Sequence, residues 1–114
     1  MRAIRVSKIN ELERVVAKIT FVARMTVKPG METEFERLAR ELEKKVNANE
    51  PGTRYYEFFR LREERRYAVI ESFDDEAAED AHMNSPYLLE IAPPLVACLE
   101  GDPPYVREYF DPLG

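Results

Sequence analysis

His82 and Cys98 are the only histidine and the only cysteine in the chain, so proton-transfer and thiol chemistry have few candidate residues. Imidazole is the side chain best suited to moving protons near neutral pH. His82 follows Ala78 by four residues and adjoins Ala81. On a helix this puts it on or beside a small-residue stripe facing the sheet, where the lack of bulky neighbours leaves room for a cavity beside the ring. Glu71 is an acid in an otherwise apolar run, on the same side as Tyr67, Val69 and Phe73, and a carboxylate in that setting needs a partner. Two readings stay open. His82 and Glu71 form a proton-transfer site, or His82 is a hydrogen-bonded core or edge histidine with Glu71 as its structural partner or a member of an interface ion pair. Tyr55, Tyr56, Tyr67, Phe73 and Tyr87 would wall a pocket beside them.

Other chemistries find little support. Cys98 sits in an apolar helical context without an evident base and reads as an inert core thiol. One cysteine and one histidine cannot supply a zinc cluster, so no metal is expected. The four glycines are Gly30, Gly52, Gly101 and Gly114, which leaves neither a dinucleotide-binding GxGxxG nor a phosphate-binding loop, and no serine lies in a GxSxG elbow. No cofactor is expected. The formal charge of −5 offers no basic surface for nucleic acid. Arg60, Arg62, Arg65 and Arg66 are interrupted by Glu63 and Glu64 and read as a solvated hairpin turn. No apolar run is long enough to span a membrane, and Arg2, Arg5 and Lys8 are not followed by a signal-like stretch, so a cytoplasmic protein is expected.

The elements that must carry these residues are legible from periodicity. Residues 1–18 mix helical spacing (Ile9, Leu12, Val15, Val16) with strand-like alternation (Ile4, Val6) and are expected to form a short helix or docking arm ahead of one domain over 19–114. Ile19, Phe21, Ala23, Met25 and Val27 alternate as a strand that stops at Pro29-Gly30. Met31, Phe35, Leu38, Leu42 and Val46 predict an amphipathic helix over 31–46. Residues 53–61 and 66–73 read as a β-hairpin. Asp74 or Asp75 caps a helix beginning near Glu76, and Ser85-Pro86 opens another that Pro93 and Pro94 should kink or split. That break either widens a pocket mouth beside Tyr87 or simply re-aims the chain. Residues 105–110 close the domain as a strand. Strand, helix, strand, strand, helix, strand is the order of a ferredoxin-like α+β fold, with helices on one face of an antiparallel sheet.

Helices on one face should leave the other wet and polar. Yet Tyr67, Val69 and Phe73 oppose Ala68 and Ile70, and Tyr55 and Phe59 oppose Tyr56 and Phe58, so both faces read as apolar. An apolar sheet face is seldom left exposed on a monomer, and a homodimer with sheets face to face is expected. Within one chain, aromatic rims and residues 1–18 are the alternative cover.

The stretches VKPGMETEFERLARELEKKV, PGTRYYEFF, YAVIESFDDEAAEDAHMNSPY and VREYF resemble, in order and spacing, the antibiotic-biosynthesis monooxygenase family of small dimeric α+β barrels. In that family a Pro-Gly turn precedes the long helix, a Glu-x-aromatic pair ends the third strand, and a histidine precedes a polar-Ser-Pro-like step. Glu71, Phe73 and His82 occupy those positions; the aromatic is often tryptophan, so indole-dependent contacts are not carried over to Phe73. The resemblance implies a cofactor-independent monooxygenase of a small quinol or hydroxylated aromatic. In it His82 would accept the substrate's hydroxyl proton, and Glu71 or a strand tyrosine would orient the ring or its bound water. The haem-degrading members use Asn, Trp and His where this chain has Ala23, Phe73 and Ala92, which disfavours that branch. An autoinducer-processing isomerase branch is similar around DDEAAEDAHMNSPY and FDPL, but the chain offers no clear basic cluster for a phosphate. A non-catalytic ligand-binding or assembly module is the third reading, and it gains ground if His82 and Glu71 are fully paired in a packed core without a cavity.

Overall fold

The computed structural model describes residues 18–113; the expected helix or arm at the N-terminus lies outside the described residues except for Lys18. Strand β1 (Ile19–Val27) runs through the middle of a four-stranded antiparallel sheet of order β2-β3-β1-β4, where β2 is Thr53–Arg60, β3 Arg66–Phe73 and β4 Leu99–Phe110. Helices α1 (Glu32–Asn49), α2 (Glu76–Met83) and α3 (Pro86–Ala97) fill the connections. This is the ferredoxin-like α+β architecture expected from the order of elements.

The core forms between the helices and the inward residues of the strands. α1 buries Phe35, Leu38, Ala39, Leu42 and Val46, the stripe that its three- and four-residue spacing dictates. That stripe packs on Ala23, Met25, Val27, Tyr67 and Val69. Glu32 and Glu34 occupy the first turn of α1, where the helix dipole favours negative charge. α2 is capped by Asp75, whose carboxylate accepts the Ala78 N–H at 2.9 Å. The arginines of the β2–β3 turn are largely engaged: Arg60 forks onto Glu36 at 2.9 and 2.6 Å, and Arg65 donates to the Val27 carbonyl at 2.8 Å.

The structure departs from the expected pattern at four points. Pro93 and Pro94 neither split nor end α3, which is continuous over Pro86–Ala97. The carbonyls their missing N–H groups would leave unpaired belong to Leu89 and Glu90, both exposed residues at which solvent can satisfy them, while Ile91 and Leu95 hold the inner face. Ser85 does precede α3, but its hydroxyl donates back to the His82 carbonyl at 2.8 Å instead of capping the new helix, tying the end of α2 to the start of α3. β4 begins at Leu99, earlier than the expected 105. Its register with β1 jumps between Met25 and Thr26, and residues 101–104 bulge from this edge, where prolines are tolerated. Finally, Ala77 and Ala81 are exposed, so of the small-residue stripe of α2 it is Ala78 that packs inward, against Gly52.

The alternation of β2 and β3 follows the sequence reading, with Tyr56, Phe58, Tyr67, Val69, Glu71 and Phe73 on the helix side. The opposite side carries Ala68, Ile70 and Phe59 together with Tyr55, Val106 and Phe110, which are 42%, 68% and 46% exposed. It is more polar toward β1 and β4, where Arg24 pairs with Glu108 at 2.8 Å and Thr20 meets Ser72 at 2.8 Å.

Candidate active site

His82, near the end of α2, is 2% exposed. α2 can approach the sheet this closely because Gly52 leaves space: a methyl group there would lie 2.8 Å from the Ala78 Cβ. The imidazole packs between Tyr56 of β2 and Phe73 of β3, with ring centroids 5.2 and 5.3 Å away. Burial of both flanking rings fixes the plane of the imidazole.

Its two nitrogens meet different groups. Nδ1 lies 3.0 Å from each carboxylate oxygen of Glu50, just beyond the end of α1. The same carboxylate accepts the Thr53 hydroxyl at 2.6 Å and the Tyr87 hydroxyl, so one side chain is gripped from β2, α2 and α3 together. Burial and the bond to Glu50 push the Tyr87 hydroxyl up to about 12. A carboxylate can only accept, so Nδ1 carries a proton, and in the neutral form of the ring the lone pair lies on Nε2. Nε2 lies 3.6 Å from Glu71 Oε1, too far for a hydrogen bond.

Glu71 on β3 is 8% exposed. Burial raises its carboxyl to about 8; Arg107 pulls it down, and Glu79 and Glu50 push it up. Near neutral pH it is therefore mostly a neutral acid, able to donate as well as accept.

His82, Glu71 and Arg107 border a cavity of about 100 Å³ between the sheet and α3. Its remaining wall is apolar and includes Met25, Leu42, Phe58, Leu88 and Tyr105. The space beside the ring comes from Ala23 of β1 and Ala92 of α3, which offer only methyl groups there; Ala78 and Ala81 instead line a separate open hollow of about 700 Å³ with Glu50 and Tyr87. Among the described residues, no group of three or more His, Cys, Asp or Glu side chains is arranged to hold a metal ion. Cys98 is buried, its thiol raised by burial, and its Sγ contacts the Pro94 carbonyl at 3.4 Å. No helix of the described residues is long and apolar enough to cross a membrane.

The residues singled out in the sequence thus fall in different places. His82 and Glu71 meet at the cavity, and Tyr56 and Phe73 support the imidazole from either side. Tyr87 acts on Glu50 and borders the outer hollow. Tyr67 lies farther along the sheet, where its hydroxyl donates to Glu36 at 2.6 Å. Tyr55 is on the outer side of the sheet, donating to Glu57 at 2.5 Å. Sequence reading missed Glu50, hidden in what reads as a helix end before Pro51-Gly52, and Arg107. The signal for Arg107 was present: it sits between Tyr105 and Tyr109 on one face of a strand.

The sequence profile described as "Antibiotic biosynthesis monooxygenase" matches residues 18–93. Among solved structures, a Caulobacter crescentus CB15 protein named provisionally as an antibiotic biosynthesis monooxygenase is 30% identical, covers 91% of this chain and 97% of its own, and superposes with a TM-score of 0.82. A conserved Methanosarcina mazei Go1 protein is 26% identical over 88% of this chain and 97% of its own, with a TM-score of 0.74. A Mycobacterium tuberculosis protein, 19% identical over 86% of this chain and 97% of its own with a TM-score of 0.77, shares the fold. No curated protein matches the chain.

Proposed function

The chain belongs to the antibiotic biosynthesis monooxygenase family, and from that membership we propose that it is a cofactor-independent monooxygenase of a small quinol or hydroxylated aromatic. The observation that carries this reading is the division of labour on one imidazole. Glu50 holds Nδ1–H at 3.0 Å, while Nε2 has no hydrogen-bond partner among the described residues, Glu71 lying 3.6 Å from it, and the His82 side chain borders the cavity. A base so oriented is poised to take a proton from a ligand hydroxyl.

In the proposed reaction the substrate hydroxyl gives its proton to Nε2, and the resulting aryloxide is the electron donor to dioxygen. The reduced dioxygen bonds to a ring carbon that bears hydrogen. That carbon loses its proton, the O–O bond breaks, and one oxygen stays on the ring while the other leaves as water. The balance is HO–Ar–H plus O₂ giving O=Ar=O plus H₂O, so the substrate supplies all the electrons. The protonated imidazole is stabilised by Glu50 and returns its proton to the departing oxygen. Glu71, a neutral acid near pH 7, is a hydrogen-bond donor to the substrate oxygen or the developing peroxide. Oxygen uptake with hydroquinone, measured in an oxygen electrode, tests the reading. Uptake above the non-enzymatic rate supports it; conversion of an enolisable carbonyl substrate that persists under strict anaerobiosis would assign His82 to isomerisation instead.

We also propose that the protein works as a homodimer through the sheet side facing away from the helices. Val106 and Phe110 on β4 and Tyr55 on β2 are exposed apolar surface there, with Phe59 also on β2 and Ile70 on β3. A second copy of the same surface is the simplest complement.

A further inference from the structure

The cavity holds a charge that the chemistry above does not use. The guanidinium of Arg107 lies over the rings of Phe21 and Tyr105, 5.3 and 5.7 Å from their centroids. These contacts hold its orientation without neutralising it. Among the described residues its hydrogen-bond acceptor is the Met83 sulfur at 3.8 Å, a weak acceptor. No carboxylate of the described residues forms an ion pair with it, although Arg24, Arg37, Arg40, Arg54, Arg60 and Arg65 all have such partners. Glu71 is the nearby acid, and burial keeps it mostly neutral. A planar fork of donors, pinned by two rings and bordering the same cavity as His82, is built to receive two oxygens of a carboxylate.

We propose that Arg107 is the specificity-determining residue of this cavity, binding a carboxylate carried on a single-ring hydroxylated aromatic whose hydroxyl faces His82. This rests on the oxygenase reading for its hydroxylated ring and deepens it by naming the second substituent. A single ring is the smallest aromatic that carries both groups: the enclosed space is about 100 Å³ and open on one side, less than in a closed protein cavity of about 150 Å³ that takes up benzene, so the ring extends through the opening. Fused-ring phenols exceed this space. The carboxylate serves as the counter-ion that Arg107 lacks, and it sets the ring so that the hydroxyl, not the carboxylate, reaches the imidazole.

The test compares hydroquinone, 2,5-dihydroxybenzoate and 2,5-dihydroxybenzamide by isothermal titration under nitrogen, where no turnover consumes the ligand. The carboxylate is expected to bind at least tenfold more tightly than hydroquinone, with the amide close to hydroquinone. In Arg107→Met the ratio of carboxylate to hydroquinone affinity should fall to about one, and Arg107→Lys should retain part of the preference. Far-ultraviolet circular dichroism and melting establish that each variant is folded; if Arg107→Met does not fold, the Lys variant and the wild-type ranking decide alone. Equal binding of the three ligands, binding of none, or a carboxylate preference that survives in Arg107→Met overturns the proposal. Failure of the oxygenase reading looks different: the carboxylate preference would be present under nitrogen, and admission of oxygen would produce no uptake.

Discussion

Glu50 and His82, thirty-two residues apart in sequence, face each other at 3.0 Å with both carboxylate oxygens on one ring nitrogen. That contact sets the tautomer of the imidazole, and through it the direction in which the ring can accept a proton. It also joins α1 to α2, so a proton-transfer geometry and a tertiary contact are the same interaction.

Replacing His82 with asparagine separates the two roles. The Asn amide can reproduce a donor near the Nδ1 position for Glu50 but has nothing at the place of Nε2. Oxygen uptake with the preferred quinol is expected to fall about 10²- to 10⁴-fold, the usual worth of a general base, with the melting temperature little changed. Retention of uptake within twofold of wild type would remove His82 from the reaction.

Glu50→Gln should damage both stability and rate. Glu50 accepts from His82, Thr53 and Tyr87, and an amide NH₂ in place of one oxygen sets donor against donor in a buried site. A loss of about 1–3 kcal/mol is expected in urea unfolding, together with at least a tenfold fall in kcat. Because the tautomer is no longer fixed, the pH–rate profile should shift as well, which a purely structural role for Glu50 would not produce.

Stability should depend on pH through Glu71. Its folded-state value is about 8 against an ordinary 4.5, so between these limits the native protein holds a proton that the unfolded chain has lost. Unfolding is therefore favoured progressively as pH rises from 4.5 to 8, by up to about 1.4 kcal/mol per pH unit. Below 4.5 both states are protonated and the effect is absent. Subtracting the Glu71→Gln curve from wild type in chemical denaturation isolates this slope; a flat difference across the window would contradict the burial of an uncompensated carboxyl.

Gly52→Ala tests the close approach that positions α2. The added methyl would meet the Ala78 Cβ at 2.8 Å, and overpacking of this kind costs about 1–3 kcal/mol. Since Gly52 adjoins the Glu50–Pro51 segment, the displaced helix should also lengthen the Glu50–His82 contact. A double substitution with Ala78→Gly is expected to recover part of the stability, as thermal melts would show.

The oligomeric state is read by light scattering. A homodimer of a 13.3 kDa chain has twice that mass, and Phe110→Lys or Val106→Lys on the outer side of the sheet should shift the population toward the single chain. A wild-type protein that scatters as one chain at micromolar concentration would refute the proposed pairing.

Much of the frame was legible because it depends on local periodicity. The two-residue repeat from Ile19 and the three- and four-residue repeat from Met31 specify β1 and α1 whatever surrounds them, and Asp75 caps α2 as a local contact must. Where neighbours decide, local reading failed. Pro93 and Pro94 would break a solitary helix but are tolerated where the released carbonyls belong to exposed residues and Ile91 and Leu95 are anchored. β4 continues across Pro103-Pro104 because it lies at the sheet edge, where missing donors cost little.

The sequence by itself determined the order of elements and the face of β3 that carries Glu71, since alternation on β3 assigns that face without any knowledge of its neighbours, and it singled out His82 as the lone imidazole. Tertiary structure alone decided that Glu50 is the partner of Nδ1, that Ala23 and Ala92 open the space beside the ring, and that Arg107 borders it. The physical reason is range. Periodicity reports which side of an element a residue occupies, whereas a hydrogen bond between a helix end and another helix, or a cavity between a sheet and a helix, exists only after chain closure has brought distant residues together.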